Sequence, residues 1–404
     1  MNAAPQSRPR CGLIINTLKP EGGMGLAVRR HIRLLADDVD IIPIALELSG
    51  NERDWCGRVE QLTLDGVRAY RIHAADLRVD RVSGNTDMRH RTFVDELVRI
   101  VRREELALLH VFGAFELRPF VGALAAVEAD IPLIVTFRGS DLDIRLFGSN
   151  FAHVQAAVRC ADACVCLNAR ARRVVARVLQ PQAPVYEIPN HIEAESPDDA
   201  PPAPVRLSHD GAPVIGCVGE FRRVIGLDWL LAAFARVAAE MPCRLALIGP
   251  FRDTEALYYT PLIDRHPFVQ CIQRVGPVTH AQIPAYLNAC DLLVFPSVSD
   301  GSPNKVLEAM RAARPIIAAP VGGILEMIRH EQEGLLVDPR STDDLAAAIT
   351  RLLRDPAEAR ALGRAARERA LIHFTAAREL AAWRACYGTV LGKGEPGNGA
   401  VDTA

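Results

Sequence analysis

FPSVSDGSPNKVLEAMRAARPIIAAPVGGILE, residues 295–326, is the stretch that decides how this chain is read. An apolar strand over 292–295 ends at Pro296, and a Gly/Ser/Pro loop follows. Val306, Leu307 and Met310 then recur at helical spacing, and a second apolar run over 315–319 closes the unit. Strand, crossover helix and strand in sequence predict a parallel pair rather than a hairpin. The helix is expected over 303–313, with Ser302 as its N-cap and Pro303 at its first position. The amides of Asn304, Lys305 and Val306 would then point out of the helix start and, with the helix dipole, make an anion site suited to phosphate. Lys305 can add a point charge there. Asp300 precedes the helix and Glu308 lies in its second turn among apolar residues. A carboxylate so placed needs hydrogen-bond donors, which sugar or ribose hydroxyls can supply. The alternative is a solvent-facing Glu on an amphipathic core helix.

The same alternation runs along the chain. Strands are expected at 11–16, 40–46, 68–73, 107–112, 132–137, 163–167 and 185–188, with helical patterns such as 25–36 and 89–104 between them. A second series has strands at 213–218, 244–248, 269–274, 292–295, 315–319 and 335–337 and helices at 227–240, 280–289, 303–313, 322–330 and 342–354. Between the series, HIEAESPDDAPPAPVRLSHDGA (191–212) has no apolar period and reads as a linker. The expected fold is therefore α/β: two Rossmann-like, doubly wound parallel-sheet domains, 1–190 and 213–375, facing across a cleft. A helix over 376–391 is expected to pack back on the N-terminal domain, and 392–404 reads as a disordered tail.

Composition narrows the function classes. Lys+Arg is 47 against Asp+Glu 49, a net charge of -2, which argues against a nucleic-acid-wrapping protein. No stretch of about 18 apolar residues is present, so no membrane-spanning helix is expected. The ten cysteines are scattered in apolar runs, which fits buried reduced thiols and a cytoplasmic setting. The one cluster, Cys160, Cys164 and Cys166, has no structural zinc spacing, and no metal site is expected. The Arg-rich run RARRVVAR (170–177) reads either as a peripheral membrane contact or as a solvated helix face. Lysine is used only at 19, 305 and 393, which makes Lys305 conspicuous inside a motif.

The pattern Asp300, Gly301, Pro303, Glu308, Ala309-Met310, Pro315, Gly322-Gly323 and Glu326, followed by Glu333 to Val337 and Pro339, resembles the signature of family 4 glycosyltransferases, retaining enzymes of the GT-B fold. The resemblance spans nearly the whole chain and is dense over 214–354. It implies transfer of a sugar from a nucleotide-diphosphate sugar to an acceptor hydroxyl with the anomeric configuration kept. The acceptor would be a small molecule, glycan or lipid-linked glycan, with no cofactor and no metal required. The N-terminal domain would be the acceptor side and the C-terminal domain would hold the nucleotide sugar. Glu308 would contact the ribose and Asp300 the donor sugar, although Asp stands where the family often has Glu.

Departures from the family pattern are equally specific. The family's diphosphate-binding Arg and Lys after the first strand of the second domain correspond to Glu220 and Ile225, in the loop that starts at Gly219. Arg222 and Arg223 are either substitutes, since Arg binds phosphate bidentately, or solvated surface arginines. The loop EGGMG (21–25), with Gly22 and Gly23, suits either close approach to a ligand or a tight turn. His110 keeps the first place of the family's His-x-His, while Phe112 takes the second; His110 is either a substrate contact or a satisfied strand-end histidine. Arg138 stands where the family often has His and could bind donor or acceptor. Asp141-Leu142-Asp143 reads as a helix start or acceptor-side pair rather than a metal motif. His191 replaces the Gly after Asn190 and would be strained if φ had to be positive. Two rival functions remain open: a non-catalytic protein that binds a nucleotide sugar, and a nucleotide-sugar epimerase.

Overall fold

Runs such as CGLII, LLHVF and LIVTF are buried at every position, so their strands are covered on both faces, which is the condition of a parallel sheet. The computed structural model describes residues 8–18, 22–49, 57–75, 87–115, 117–143, 146, 151–192 and 205–392. Most of the expected linker (193–204) and the expected tail beyond Gly392 lie outside the described residues.

The chain divides into two units: the described residues up to Pro189 together with those from Glu379 onward, and Asn190–Arg378. The first unit holds β1 (Arg10–Ile15), β2 (Asp40–Ser49), β3 (Arg58–Leu64), β4 (Val67–Ala75), β5 (Leu108–Phe112), β6 (Leu133–Phe137), β7 (Ala163–Cys166) and β8 (Val185–Glu187). They form one sheet in the order β3-β4-β2-β1-β5-β6-β7-β8, parallel except for the β3–β4 hairpin. Its helices are α1 (Gly22–Leu34), α2 (Asp87–Glu104), α3 (Arg118–Ala129), α4 (Ser140–Asp143), α5 (Phe151–Cys160) and α6 (Ala169–Val174).

The second unit holds β9 (Val214–Val218), β10 (Arg244–Ile248), β11 (Ile272–Gly276), β12 (Leu292–Phe295), β13 (Ile316–Ala318) and β14 (Leu335–Leu336), all parallel, in the order β11-β10-β9-β12-β13-β14. Its helices are α7 (Leu227–Glu240), α8 (Asp253–Asp264), α9 (Ile283–Asn288), α10 (Asn304–Arg311), α11 (Ile324–Met327), α12 (Thr342–Arg354) and α13 (Pro356–His373). The last helix, α14 (Ala376–Val390), returns the chain to the first unit, where Trp383, Cys386 and Tyr387 are buried with residues of β1, α1 and β5.

In each sheet the strand order reverses once, at β1/β5 in the first and at β9/β12 in the second. Loops leaving the carboxyl ends of those strands flank the crevice where doubly wound sheets take ligands. In the second unit those loops begin at Gly219 and Pro296, the segments singled out above.

Some element bounds differ from expectation. The hairpin strand β3 was not anticipated, because its residues are half-buried or exposed and carry no strong apolar run. Asp65-Gly66, both at positive φ, make its turn. Helix α1 starts at Gly22 rather than Gly25. The expected helix 322–330 shrinks to Ile324–Met327. His191 does not have positive φ, so the anticipated strain is absent. Nine described cysteines are free, and burial pushes the thiols of Cys11, Cys164 and Cys217 up to about 12. Such thiols are inert at neutral pH.

Candidate functional site

In the second unit the site is built on glycines. β9 is followed directly by Gly219, whose φ of 140° a side chain would rarely adopt. A Cβ there would lie 3.5 Å from Lys305 Cδ and 3.8 Å from its Nζ. The loop after β12 rests on a second glycine pair: Gly323 N–H donates to Gly301 O at 2.8 Å. A Cβ on Gly322 would collide with the carbonyl of Asp300. The 300–302 backbone is thus seated directly on backbone.

Helix α10 follows, and its start differs from expectation by one residue. Pro303 is the cap, with ψ 112°, and no side chain caps the helix. Ser302 is therefore not the N-cap; it is buried, and its Oγ has no hydrogen-bond partner while its carbonyl accepts from Asn190 Nδ2 at 2.8 Å. Of the three amides proposed as an anion cradle, that of Val306 is turned inward and donates to Pro303 O at 3.0 Å. Val306 is thus a core residue, packed with Leu307, Ala309 and Met310. Asn304 and Lys305 form the exposed part of the first turn, both half-buried.

Lys305 Nζ lies 3.3 Å from Asp300 Oδ2 and 3.3 Å from Ser297 Oγ, and 6.0 Å from the centre of the Phe295 ring. Glu308, one turn on, is half-buried on the side of α10 away from its apolar residues. Its Oε1 lies 3.7 Å from His280 Nδ1. His280 had no sequence signal beyond sitting near the start of an expected helix.

The loop from Gly219 to α7 shows how the chain accommodates its two departures. Glu220 accepts from Arg252 through Nε (2.8 Å) and Nη2 (3.1 Å), and Arg222 Nε lies 3.4 Å away. Ile225 is buried in the core with Leu227 and Leu230, so a lysine there would have no water. Arg223 is exposed, stacks 4.5 Å over the Tyr258 ring and has Nε 3.8 Å from Glu255. Arg222 and Arg223 are neither bare surface residues nor a free pair: each already faces an acid.

In the first unit, Gly22 and Gly23 are the opening residues of α1, not a loop before it. Among the described residues, nothing lies within 4 Å of where a Gly23 Cβ would be. His110 is a correction. It is fully buried, its Nδ1 lies 2.8 Å from Tyr387 Oη and its Nε2 2.6 Å from Thr136 Oγ1. Burial, with Arg138 nearby, pulls its pKa down to about 3, so the ring is neutral and both nitrogens are occupied. This is the arrangement of the satisfied strand-end histidine, the second of the two readings above. Burial likewise pulls His31 well below the usual range, and the ring packs on Trp383.

Arg138 stacks 4.6 Å over the Phe112 ring. Burial and the neighbouring Arg30 lower its pKa to about 10, while Glu379 and Asp141 act in the opposite sense. Asp141 accepts the backbone N–H of Ala114 (3.0 Å), Gly139 (2.7 Å) and Leu142 (3.1 Å) and that of Arg138. It organises the loop, as a helix-start residue would. In the run 170–177, Arg172 faces Glu187 at 3.4 Å and Ala171 and Val175 are buried, leaving Arg170, Arg173 and Arg177 exposed.

Among the described residues, no three His, Cys, Asp or Glu side chains are grouped as a metal set. No helix among them is long and apolar enough to cross a membrane.

Residues 212–355 match the family model of glycosyl transferases group 1. The 2-deoxystreptamine glucosyltransferase of Streptomyces kanamyceticus is 29% identical over 320 residues, covering 74% of this chain and 81% of that protein. The D-inositol 3-phosphate glycosyltransferase of Pseudarthrobacter chlorophenolicus is 32% identical over 155 residues, 38% of this chain and 37% of that protein. Among solved structures, sucrose-phosphate synthase from Thermosynechococcus elongatus superposes with a TM-score of 0.76 at 21% identity, covering 96% of this chain and all of that one. Anabaena HepE in complex with UDP and glucose gives 0.72 at 18% identity, covering 95% of this chain and all of that one. The signature residues, the two parallel sheets and these matches converge on a glycosyltransferase of the GT-B fold, whose residues 212–355 match the group 1 family model.

Proposed function

We propose that this glycosyltransferase moves a sugar from a nucleotide-diphosphate sugar to an acceptor hydroxyl with retention of configuration. The observation that carries this reading is the grouping of Gly219, Asp300 and Lys305 at the switch point of the second sheet, with Glu308 one turn further along α10. The ribose hydroxyls would donate to Glu308 and the sugar hydroxyls to Asp300. The diphosphate would lie against Gly219 and the first turn of α10, where Asn304 and Lys305 are placed. HepE, a structural neighbour, is described with UDP and glucose bound, which supports a nucleotide-sugar donor here. In the reaction the bond from C1 to the diphosphate oxygen breaks and the acceptor oxygen bonds to C1 from the same face. The acceptor's proton passes to the departing phosphate. The charge that develops is on the leaving group, so fixed cations and amides facing it lower the barrier, and the reading needs no divalent ion or cofactor.

The first unit is proposed as the acceptor side, with Gly22 and Gly23 at the open start of α1 as its contact. The acceptor is a small molecule, a glycan or a lipid-linked glycan, and a cytoplasmic enzyme with optional peripheral membrane contact fits this. Incubation with labelled UDP- and GDP-sugars tests the proposal. Transfer or slow hydrolysis supports it; binding without turnover under every acceptor favours a non-catalytic protein, and conversion of the donor sugar itself favours an epimerase.

A further inference from the structure

We infer that Lys305, rather than the loop arginines, is the cation that meets the diphosphate, and that Asp300 holds this cation until the donor arrives. The inference rests on the nucleotide-sugar reading above and adds a coupling to it: the same event that neutralises the leaving group frees the acid that grips the sugar.

The argument starts from what each cation already faces. Arg222 Nε lies 3.4 Å from Glu220, which Arg252 also holds in a two-pronged contact. Arg223 lies on Tyr258 with Glu255 behind it. These guanidiniums belong to a network whose acids, Glu220 and Glu255, are fixed in the β9–α7 loop and in α8. An arriving phosphate would have to compete with carboxylates that gain nothing from release.

Lys305 differs in three respects. Its side chain is only 15% exposed, so its charge requires a partner. That partner is Asp300, at 3.3 Å, an acid that has a use of its own toward the sugar in the reading above. And the ammonium stands beside a strand end that has no side chain: a Cβ at Gly219 would lie in ordinary contact with its stem, at 3.5 Å, and its tip, at 3.8 Å. A ligand lying against Gly219 would therefore stand next to this ammonium. A diphosphate carries more charge than Asp300 and would draw the ammonium toward itself. Ser297, buried beneath, accepts from the same ammonium at 3.3 Å and keeps the stem in place as it turns. Asp300, relieved of its cation, is then an acceptor for sugar hydroxyls, on a backbone fixed by Gly322.

Calorimetric titration with UDP and GDP, and with uridine and guanosine, tests this on six proteins: wild type, K305M, the charge-conserving K305R, D300N, the double variant K305M/D300N, and R222A/R223A. K305M should weaken the nucleoside diphosphate at least tenfold, about 1.4 kcal/mol, and leave the nucleoside unchanged; K305R should recover part of the loss. D300N should tighten the nucleoside diphosphate about threefold, the scale of a partly exposed ion pair, and this gain should vanish in the double variant. If K305M binds UDP and GDP as wild type does while R222A/R223A loses affinity, the cation is the arginine pair and the inference is overturned. If D300N fails to tighten binding, the holding role of Asp300 is overturned. Wild type that binds none of the four probes overturns the nucleotide-sugar reading itself, and the inference with it.

Discussion

His110 makes the first unit acid-sensitive, by an amount the structure sets. Its ring is buried between Tyr387 and Thr136, and its pKa falls from 6.5 to about 3, chiefly through burial. Protonation is therefore disfavoured in the folded state. Above pH 6.5 neither state carries the proton and the burial is harmless. As pH falls from 6.5 toward 3, the unfolded chain takes a proton that the folded chain refuses, and stability is lost at about 1.4 kcal/mol per pH unit. At pH 5.0 the loss from His110 alone is about 2 kcal/mol. His31, also held well below its usual range by burial, acts in the same direction. With two units in one chain a single unfolding midpoint is ill-defined, so segment-resolved hydrogen exchange is the appropriate assay. Opening free energies of peptides covering β5 (108–112) and α14 (376–390), corrected for intrinsic exchange, should fall between pH 6.5 and 5.0. H110Q removes one titrating group and should flatten that slope by about one proton. A pH-independent opening free energy in wild type, or an unchanged slope in H110Q, would refute the argument that this histidine is buried and neutral.

Three further outcomes follow from named contacts. Gly322→Ala places a Cβ against the Asp300 carbonyl at a positive φ; backbone displacement plus the left-handed cost should lower the opening free energy of second-unit peptides by about 2–4 kcal/mol in hydrogen exchange. A shift within 0.5 kcal/mol, as is usual at surfaces, would show the loop is not seated there. Ala313 has φ 52°, so Ala313→Gly relieves a strained residue and should raise the opening free energy of second-unit peptides by about 0.5 kcal/mol after the glycine entropy is subtracted; a lower opening free energy in hydrogen exchange contradicts this. Glu308→Ala should reduce donor affinity or turnover at least tenfold, about 1.4 kcal/mol, with folding intact, and unchanged kinetics would remove Glu308 from the site.

Much of this was legible in sequence because it is local. The strand over 292–295 and the crossover helices announce a parallel sheet, whereas the backbone contact of Gly322 and Gly323, expected inside a helix, is seen only in the structure. What was not legible depends on distant partners. Whether His110 is a ligand or a core residue is decided by Tyr387, 277 positions away. Arg222 and Arg223 look available in the sequence, yet Arg252 and Glu255, on and beside α8, determine what they face. The helix start shifted from Ser302 to Pro303 because the cap depends on one ψ angle, which composition does not encode. β3 was missed because an edge strand needs no apolar run, although Asp65-Gly66 between two alternating segments was a usable turn signal.

The most direct test of the central claim is to follow the anomeric centre by NMR while the protein is supplied with α-linked UDP- and GDP-sugars and an acceptor panel. The account predicts release of the nucleoside diphosphate with an α-linked product, abolished in E308A. A β-linked product, or release that is indifferent to Glu308, would contradict it.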